Sequence, residues 1–198
     1  MWSYEEKAAL SGFLTIAGVD EAGRGPLAGP VVSAAVVLPV DFPSEGITDS
    51  KKLSPGKRDR LYDRIVKKAI AVGVGMAEPE EIDTINILQA SLLSMERAVH
   101  DLHVIPDYLL IDGIFTISYD APQEAIKKGD MLSISIASAS IVAKVTRDRI
   151  MKSYDLIYPD YGLAGHKGYP TKNHKDAIAA FGVSPIHRKS FKGVKEYL

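Results

Sequence analysis

Four carboxylates sit where a sheet could gather them. Asp20 and Glu21 close a short apolar run, residues 14–19 (LTIAGV). Asp112 closes another, residues 108–111 (YLLI), and Asp130 follows Lys128-Gly129 just before a long Ala- and Ser-rich stretch. Both apolar runs read as strands. In open sheets ligands collect at strand ends, so three separate segments can bring four acids together. Four crowded carboxylates repel one another unless cations neutralise them. An oxygen-only set of this kind selects Mg²⁺ or Mn²⁺. Two such ions, about 4 Å apart, would activate a water and stabilise the leaving oxygen in phosphodiester cleavage. Among 25 Asp and Glu most acids are surface charges. Asp20 and Asp112 stand apart because each follows a strongly apolar strand.

The elements that would position these acids alternate between strand and helix. After the strand at 14–19 comes a Gly- and Pro-dense loop (EAGRGPLAGP), then a strand at 31–38 (VVSAAVVL) that reads as buried on both faces. Ser54-Pro55 opens a helix to about residue 70, with Ser as N-cap and Pro at the first helical position. Residues 72–76 read as a third strand. Glu78-Pro79 opens a second helical stretch, continued over 87–103 with Leu88, Leu92, Met95 and Val99 on one face. After the strand at 108–111 comes a short segment at 124–127, then the strongest helix at 133–154. A last helix over 172–181 stops at Gly182. The class is α/β with a mixed central sheet flanked by helices, in a single domain spanning 1–198.

Other chemistries find less support. The chain has no cysteine, which removes disulfides, thiolate metal sites and Cys nucleophiles, and fits a reducing cytoplasm. There is no G-x-S-x-G elbow, and Ser140 and Lys144 are four apart rather than three. His100 and His103 share a predicted helix face and are expected to face solvent; two ligands alone make no metal site. Gly23, Gly25 and Ala28 fit G-x-G-x-x-G/A, but the loop leads into a strand where the dinucleotide fingerprint demands a helix. Around Trp2, Tyr4, Glu5 and Glu6 there is no basic n-region of a signal peptide, and the longest apolar run, 26–40, is cut by Pro30 and Pro39. No membrane association is expected.

Net charge is −1, yet it is unevenly spread. From residue 163 onward seven Lys and Arg (Lys167, Lys172, Lys175, Arg188, Lys189, Lys192, Lys195) meet two acids, Asp176 and Glu196, so the remainder is acidic. An acidic body with a basic C-terminal segment could pair a metal site with a phosphate-binding arm. On charge alone, a solvated Lys-rich tail is the simpler reading. His166, His174 and His187 lie in that segment and would touch phosphate or be exposed.

Longer motifs carry a resemblance. Residues 18–32 (GVDEAGRGPLAGPVV) resemble the signature of bacterial ribonuclease HII. DSKKLS (49–54), LLIDG (109–113), KGD (128–130), ASIVAKVTRDR (139–149), HKGYPTKNH (166–174) and HRKSF (187–191) follow in order over nearly the whole chain. The departure at 137–140, Ala-Ser-Ala-Ser in place of Ser-Ala-Ala-Ser, swaps small residues and touches nothing catalytic.

The resemblance implies an RNase H-like fold with a helical C-terminal extension, in which the basic segment from about 163 completes the substrate cleft. It implies cleavage of RNA in RNA/DNA hybrids and of the 5′ side of single ribonucleotides embedded in DNA, leaving 3′-hydroxyl and 5′-phosphate ends. By motif position Asp20, Glu21, Asp112 and Asp130 hold two Mg²⁺ or Mn²⁺ ions. Gly23, Arg24 and Gly25 sense the ribose 2′-hydroxyl, and Tyr169 reads the junction. Lys51 and Lys144 are candidate phosphate contacts; the plain reading of Lys144 is a helix-surface charge. Ribonuclease HIII usually carries an extra N-terminal domain, and the 19 residues before Asp20 leave no room for one. A non-catalytic hybrid- or nucleotide-binding module is the alternative, and the full set of four acids argues against it. A monomer is expected, and a sliding clamp is a candidate partner although the C-terminus carries no Gln-x-x-Leu-x-x-aromatic-aromatic box.

Overall fold

The computed structural model describes residues 1–47, 50 and 53–198. Five strands form one sheet in the order β3-β2-β1-β4-β5. They are β1 (Ile16–Ala22), β2 (Val31–Val37), β3 (Ala71–Ala77), β4 (Tyr108–Asp112) and β5 (Gln123–Ile126). β1 to β3 are antiparallel neighbours, whereas β4 runs parallel to β1 and β5 parallel to β4. The sheet is therefore mixed, as the alternating pattern predicts. β5 takes up the short segment expected at 124–127.

Helices cover both faces, which is why β2 is buried at every position. On one face lie α2 (Pro55–Lys68) and α4 (Ile134–Ile157), whose Leu61, Ile65, Ile134, Ile141 and Val145 pack with Ala34 and Val36. On the other lies α3 (Pro79–His100), packing Met95, Ala98 and Val99 on Ala17, Val19, Leu109 and Ile111. Ser54 and Pro55 hold the expected N-cap and first-turn positions of α2, although the serine side chain makes no capping bond. α3 ends at His100, so His103 lies beyond it and the two histidines share no helix face; both are exposed. Within α3, Asn86 breaks the helix at φ 68°, and its Oδ1 accepts the Leu88 and Gln89 amides to restart it.

Two features missing from the sequence reading set α4 in place. A first helix, α1 (Ser3–Leu10), buries Glu5, whose Oε1 accepts the Ser133 hydroxyl at 2.5 Å and the Ser135 amide at 3.0 Å. Ser133 in turn caps α4 by accepting the Ile136 amide. Gly18 on β1 then lets the helix lie directly on the strand, because a Cβ there would collide with the Ser135–Ile136 backbone. Beyond α4 the chain forms α5 (Leu163–His166), α6 (Lys172–Phe181) and 3₁₀ turns. Leu163, Ile178, Ile186 and Val194 from this extension bury Leu27 and Ala28 of the Gly-rich loop together with Met151.

Candidate active site

β1 runs further than its apolar residues indicate. Asp20 and Glu21 lie inside it, paired with Ala34 and Ser33 of β2, rather than at its close. Backbone pairing, not hydrophobicity, carries the strand past residue 19. In the parallel register Val19 sits beside Ile111, so Asp20 and Asp112 follow side by side. One carboxylate oxygen from each of Asp20, Glu21 and Asp112 lies within 4.8 Å of the other two.

The environment disfavours their anionic forms. Burial comes first for Asp20, which is 4% exposed, and the charges of Glu21 and Asp112 add to it. Together they push its carboxyl well above the usual range, against a Ser140 hydrogen bond from α4 and the Glu21 amide. Burial also raises Glu21; Arg24, 3.4 Å away, opposes the shift and Asp112 reinforces it. A half-buried carboxylate set whose mutual repulsion Arg24 offsets only at Glu21 suits a hard divalent cation. Asp112 Oδ1 accepts the Gly129 amide at 2.6 Å, which anchors the turn Gly129–Met131 to the strand end. That turn carries Asp130, 7% exposed. Three of the four expected acids thus form one cluster, and the fourth lies one residue from the hydrogen bond that ties its turn to Asp112.

Residues 23–30 leave β1 as an irregular loop held by two buried arginines. Arg147 of α4 donates to the carbonyls of Pro30, Lys167 and Ala28. Arg188 donates to those of Gly29, Arg24 and Gly23. Burial lowers the two guanidinium groups to about 10 and about 9. Arg188, 0% exposed, is therefore a structural cation and corrects the picture of a uniformly solvated or phosphate-binding tail. His174 and His187 are buried as well, neither exposed nor free to touch phosphate. Charge counting cannot see this, because the partners are carbonyls of a loop far away in sequence.

The expected substrate residues converge. A concavity of about 230 Å³ is lined by Glu21, Gly23, Arg24, Gly25, Lys144 and Tyr169, with Ser50 and Ser140. Tyr169 is 40% exposed. Lys144 Nζ is 2.6 Å from Asp148, so it is neither a bare surface charge nor an unpaired one. Lys51 lies outside the described residues. On the far side of Gly25 a second, open groove of about 570 Å³ is lined by Leu27, Pro170, Lys175, Phe191 and Lys192.

The ribonuclease HII family model matches residues 17–194. Ribonuclease HII of Geobacter metallireducens is 60% identical over 198 residues, covering all of this chain and 93% of the relative. That of Geobacter sulfurreducens is 58% identical, covering all of this chain and 91% of the relative. Among solved structures, ribonuclease H2 of Pyrococcus horikoshii aligns with a TM-score of 0.78 at 28% identity, over 93% of this chain and 97% of that one. The mixed sheet flanked by helices is thus an RNase H-like fold. With an acidic cluster on its central strands and a family match running from β1 to Val194, the chain is a metal-dependent hydrolase of the ribonuclease H type and belongs to the ribonuclease HII family.

Proposed function

We propose that the protein is an endoribonuclease that cuts the RNA strand of RNA/DNA hybrids and nicks duplex DNA 5′ of a single embedded ribonucleotide, leaving 3′-hydroxyl and 5′-phosphate ends. One observation carries this reading: Glu21 of the carboxylate cluster lines the same concavity as Gly23, Arg24, Gly25 and Tyr169. Cleavage chemistry and ribose recognition then act on adjacent positions of one strand.

Asp20, Glu21 and Asp112, with Asp130 as a fourth ligand, would hold two Mg²⁺ or Mn²⁺ ions. Such ions, when bound, supply the activated water and the charge stabilisation that phosphodiester hydrolysis needs. The chain's own residues bind and orient. Only the 2′-hydroxyl separates RNA from DNA at one nucleotide, and the peptide groups at Gly23 and Gly25 can approach it without side chains in the way. The Tyr169 ring packs on the next deoxyribose, where a ribose hydroxyl would intrude. Lys144 contacts phosphate, which positions the strand without reading it; Lys51 takes the same role by its place in DSKKLS.

The whole chain acts as one catalytic unit, monomeric and cytoplasmic, with the segment from about 163 completing the cleft. A sliding clamp is a partner suggested by the Archaeoglobus fulgidus ribonuclease HII solved in complex with PCNA, which aligns at 28% identity and a TM-score of 0.76 over 90% of this chain and 96% of that one. The test is cleavage of a labelled duplex with one ribonucleotide, beside a continuous hybrid and an all-DNA control. A single metal-dependent nick with a 5′-phosphate on the downstream product supports the reading. Cleavage of the continuous hybrid alone removes the junction role, and no cleavage of either removes the function.

A further inference from the structure

Behind Tyr169 lies a chain of imidazoles. The Tyr169 carbonyl accepts from the Thr171 amide at 2.8 Å and faces His174 Nδ1 at 3.0 Å. His174 Nε2 is 3.1 Å from His187 Nε2. His187 Nδ1 faces the Ser184 amide at 3.1 Å and its hydroxyl at 2.7 Å. These partners fix the protons. A carbonyl only accepts, so His174 carries its hydrogen on Nδ1; a peptide N–H only donates, so His187 has a bare Nδ1 and its hydrogen on Nε2. The Nε2–Nε2 contact then has one donor and one acceptor, and every nitrogen is satisfied only while both rings are neutral. Burial pushes both imidazoles down to about 4, which keeps them so. The groups facing the pair are the His166 ring, stacked on His174 at 4.3 Å, and the Tyr161 ring, 4.9 Å from His187. His166 is itself satisfied, accepting the Gly168 amide at Nδ1 and donating from Nε2 to the Tyr161 carbonyl.

The turn so held is not self-supporting. Lys167, a non-glycine residue, sits at φ 53° immediately before Gly168 and Tyr169, a conformation that persists only when its surroundings enforce it. We propose that His174 and His187 are positioning residues, a neutral imidazole pair that fixes the Tyr169 turn and thereby sets the preference for a single embedded ribonucleotide over a continuous RNA strand. The proposal rests on Tyr169 as the junction reader.

The test measures kcat/KM on both substrates for wild type, His174→Phe, His174→Asn and Tyr169→Ala. Phe keeps a ring but loses both nitrogens; the Asn amide restores a donor where Nδ1–H stood. His174→Phe is expected to lower the ratio of single-ribonucleotide to continuous-hybrid activity about tenfold, as the loss of one buried hydrogen bond can do. His174→Asn should recover most of it, and Tyr169→Ala should lose at least as much. A wild-type ratio in His174→Phe, with the ratio lost in Tyr169→Ala, overturns the imidazole pair and leaves the reader standing. Equal losses on both substrates in Tyr169→Ala overturn the reader and this proposal with it. Should His174→Phe fail to fold, ¹⁵N spectra of the wild-type histidine side chains decide. An Nδ1–H tautomer for His174 and an Nε2–H tautomer for His187, both neutral at about pH 6, support the pair. The reverse tautomers or a protonated ring overturn it.

Discussion

Arg147 occupies the space into which a side chain on residue 23 would grow. A Cβ built on Gly23 would collide with Arg147 Nε and Cδ, and Gly23 itself sits at φ 102°. Arg147 cannot step aside without leaving the Pro30, Ala28 and Lys167 carbonyls. Gly23→Ala should therefore cost about 1–3 kcal/mol from the backbone conformation alone, read as a lower urea midpoint, and cleavage should fall with it. Gly25→Ala is the contrast: its Cβ would meet only the Tyr169 ring, at 3.7 Å. It should fold normally and lose activity through the pocket. An unchanged midpoint for Gly23→Ala would mean that neither the backbone conformation nor the arginine restricts residue 23.

Asp112→Asn should nearly abolish cleavage while the fold survives. The amide keeps an oxygen for the Gly129 peptide, so the turn carrying Asp130 stays anchored. One negative ligand is lost, which weakens cation binding and water activation; a loss of roughly 10²-fold or more in kcat is expected. In chelator the variant should melt higher than wild type, because Asp112 is one of the charges that raise Asp20 and Glu21. Wild-type turnover at saturating Mg²⁺ would remove Asp112 from the site.

Salt dependence tests the groove beyond Gly25. Lys175 and Lys192 both line it. If each meets a phosphate, Lys175→Gln with Lys192→Gln should reduce the slope of log K against log salt by about two, since each contact contributes about 0.9. An unchanged slope would return both to solvated charges. Deleting the whole basic segment is no substitute: Leu163, Ile178 and Val194 are buried with Leu27 and Met151, so the deletion would also uncover the Gly-rich loop.

Acidification should destabilise the protein through His174 and His187. In the unfolded chain a histidine takes a proton near its ordinary 6.5, whereas in the fold both resist until about 4. Between those values the unfolded state binds more protons, so stability falls as pH drops through the window and levels off below it. Asp20 and Glu21, raised in the fold, act in the opposite direction as they take up protons. The histidine share is the difference in Tm against pH between wild type and His174→Asn, which should have the flatter acid limb. Parallel curves would show that His174 does not titrate differently on folding.

Much of the framework could be read from periodicity. β2, β4, α4 and α6 follow from apolar runs and spacing, and the gathering of Asp20 with Asp112 follows from acids placed after apolar strands, although the parallel pairing of β1 with β4 has no local signal. Other features had no local signature. α1 has no marked apolar stripe; what orders it is Glu5 reaching Ser133 and Ser135 far along the chain. The end of β1 has no apolar signal, because hydrophobicity stops at Val19 while the ladder with β2 continues to Ala22. Arg188 reads as tail charge, and His174 and His187 as exposed or phosphate-touching, because nothing in their sequence neighbours announces burial. Their identity as motif residues was visible; their partners, backbone carbonyls and other rings, were not. Ser140, which reaches Asp20, looked like one more small residue of α4.

The bond from Arg188 to the Gly23 carbonyl spans 165 residues. During synthesis at roughly 5–20 residues per second, β1 and its loop leave the ribosome many seconds before the arginine that shapes them exists. The loop that carries Gly23, Arg24 and Gly25 is then one of the last parts to reach its final form. A nascent chain that already holds Asp20, Glu21, Asp112 and Asp130 still lacks the guanidinium that ties the Gly23, Arg24 and Gly29 carbonyls together.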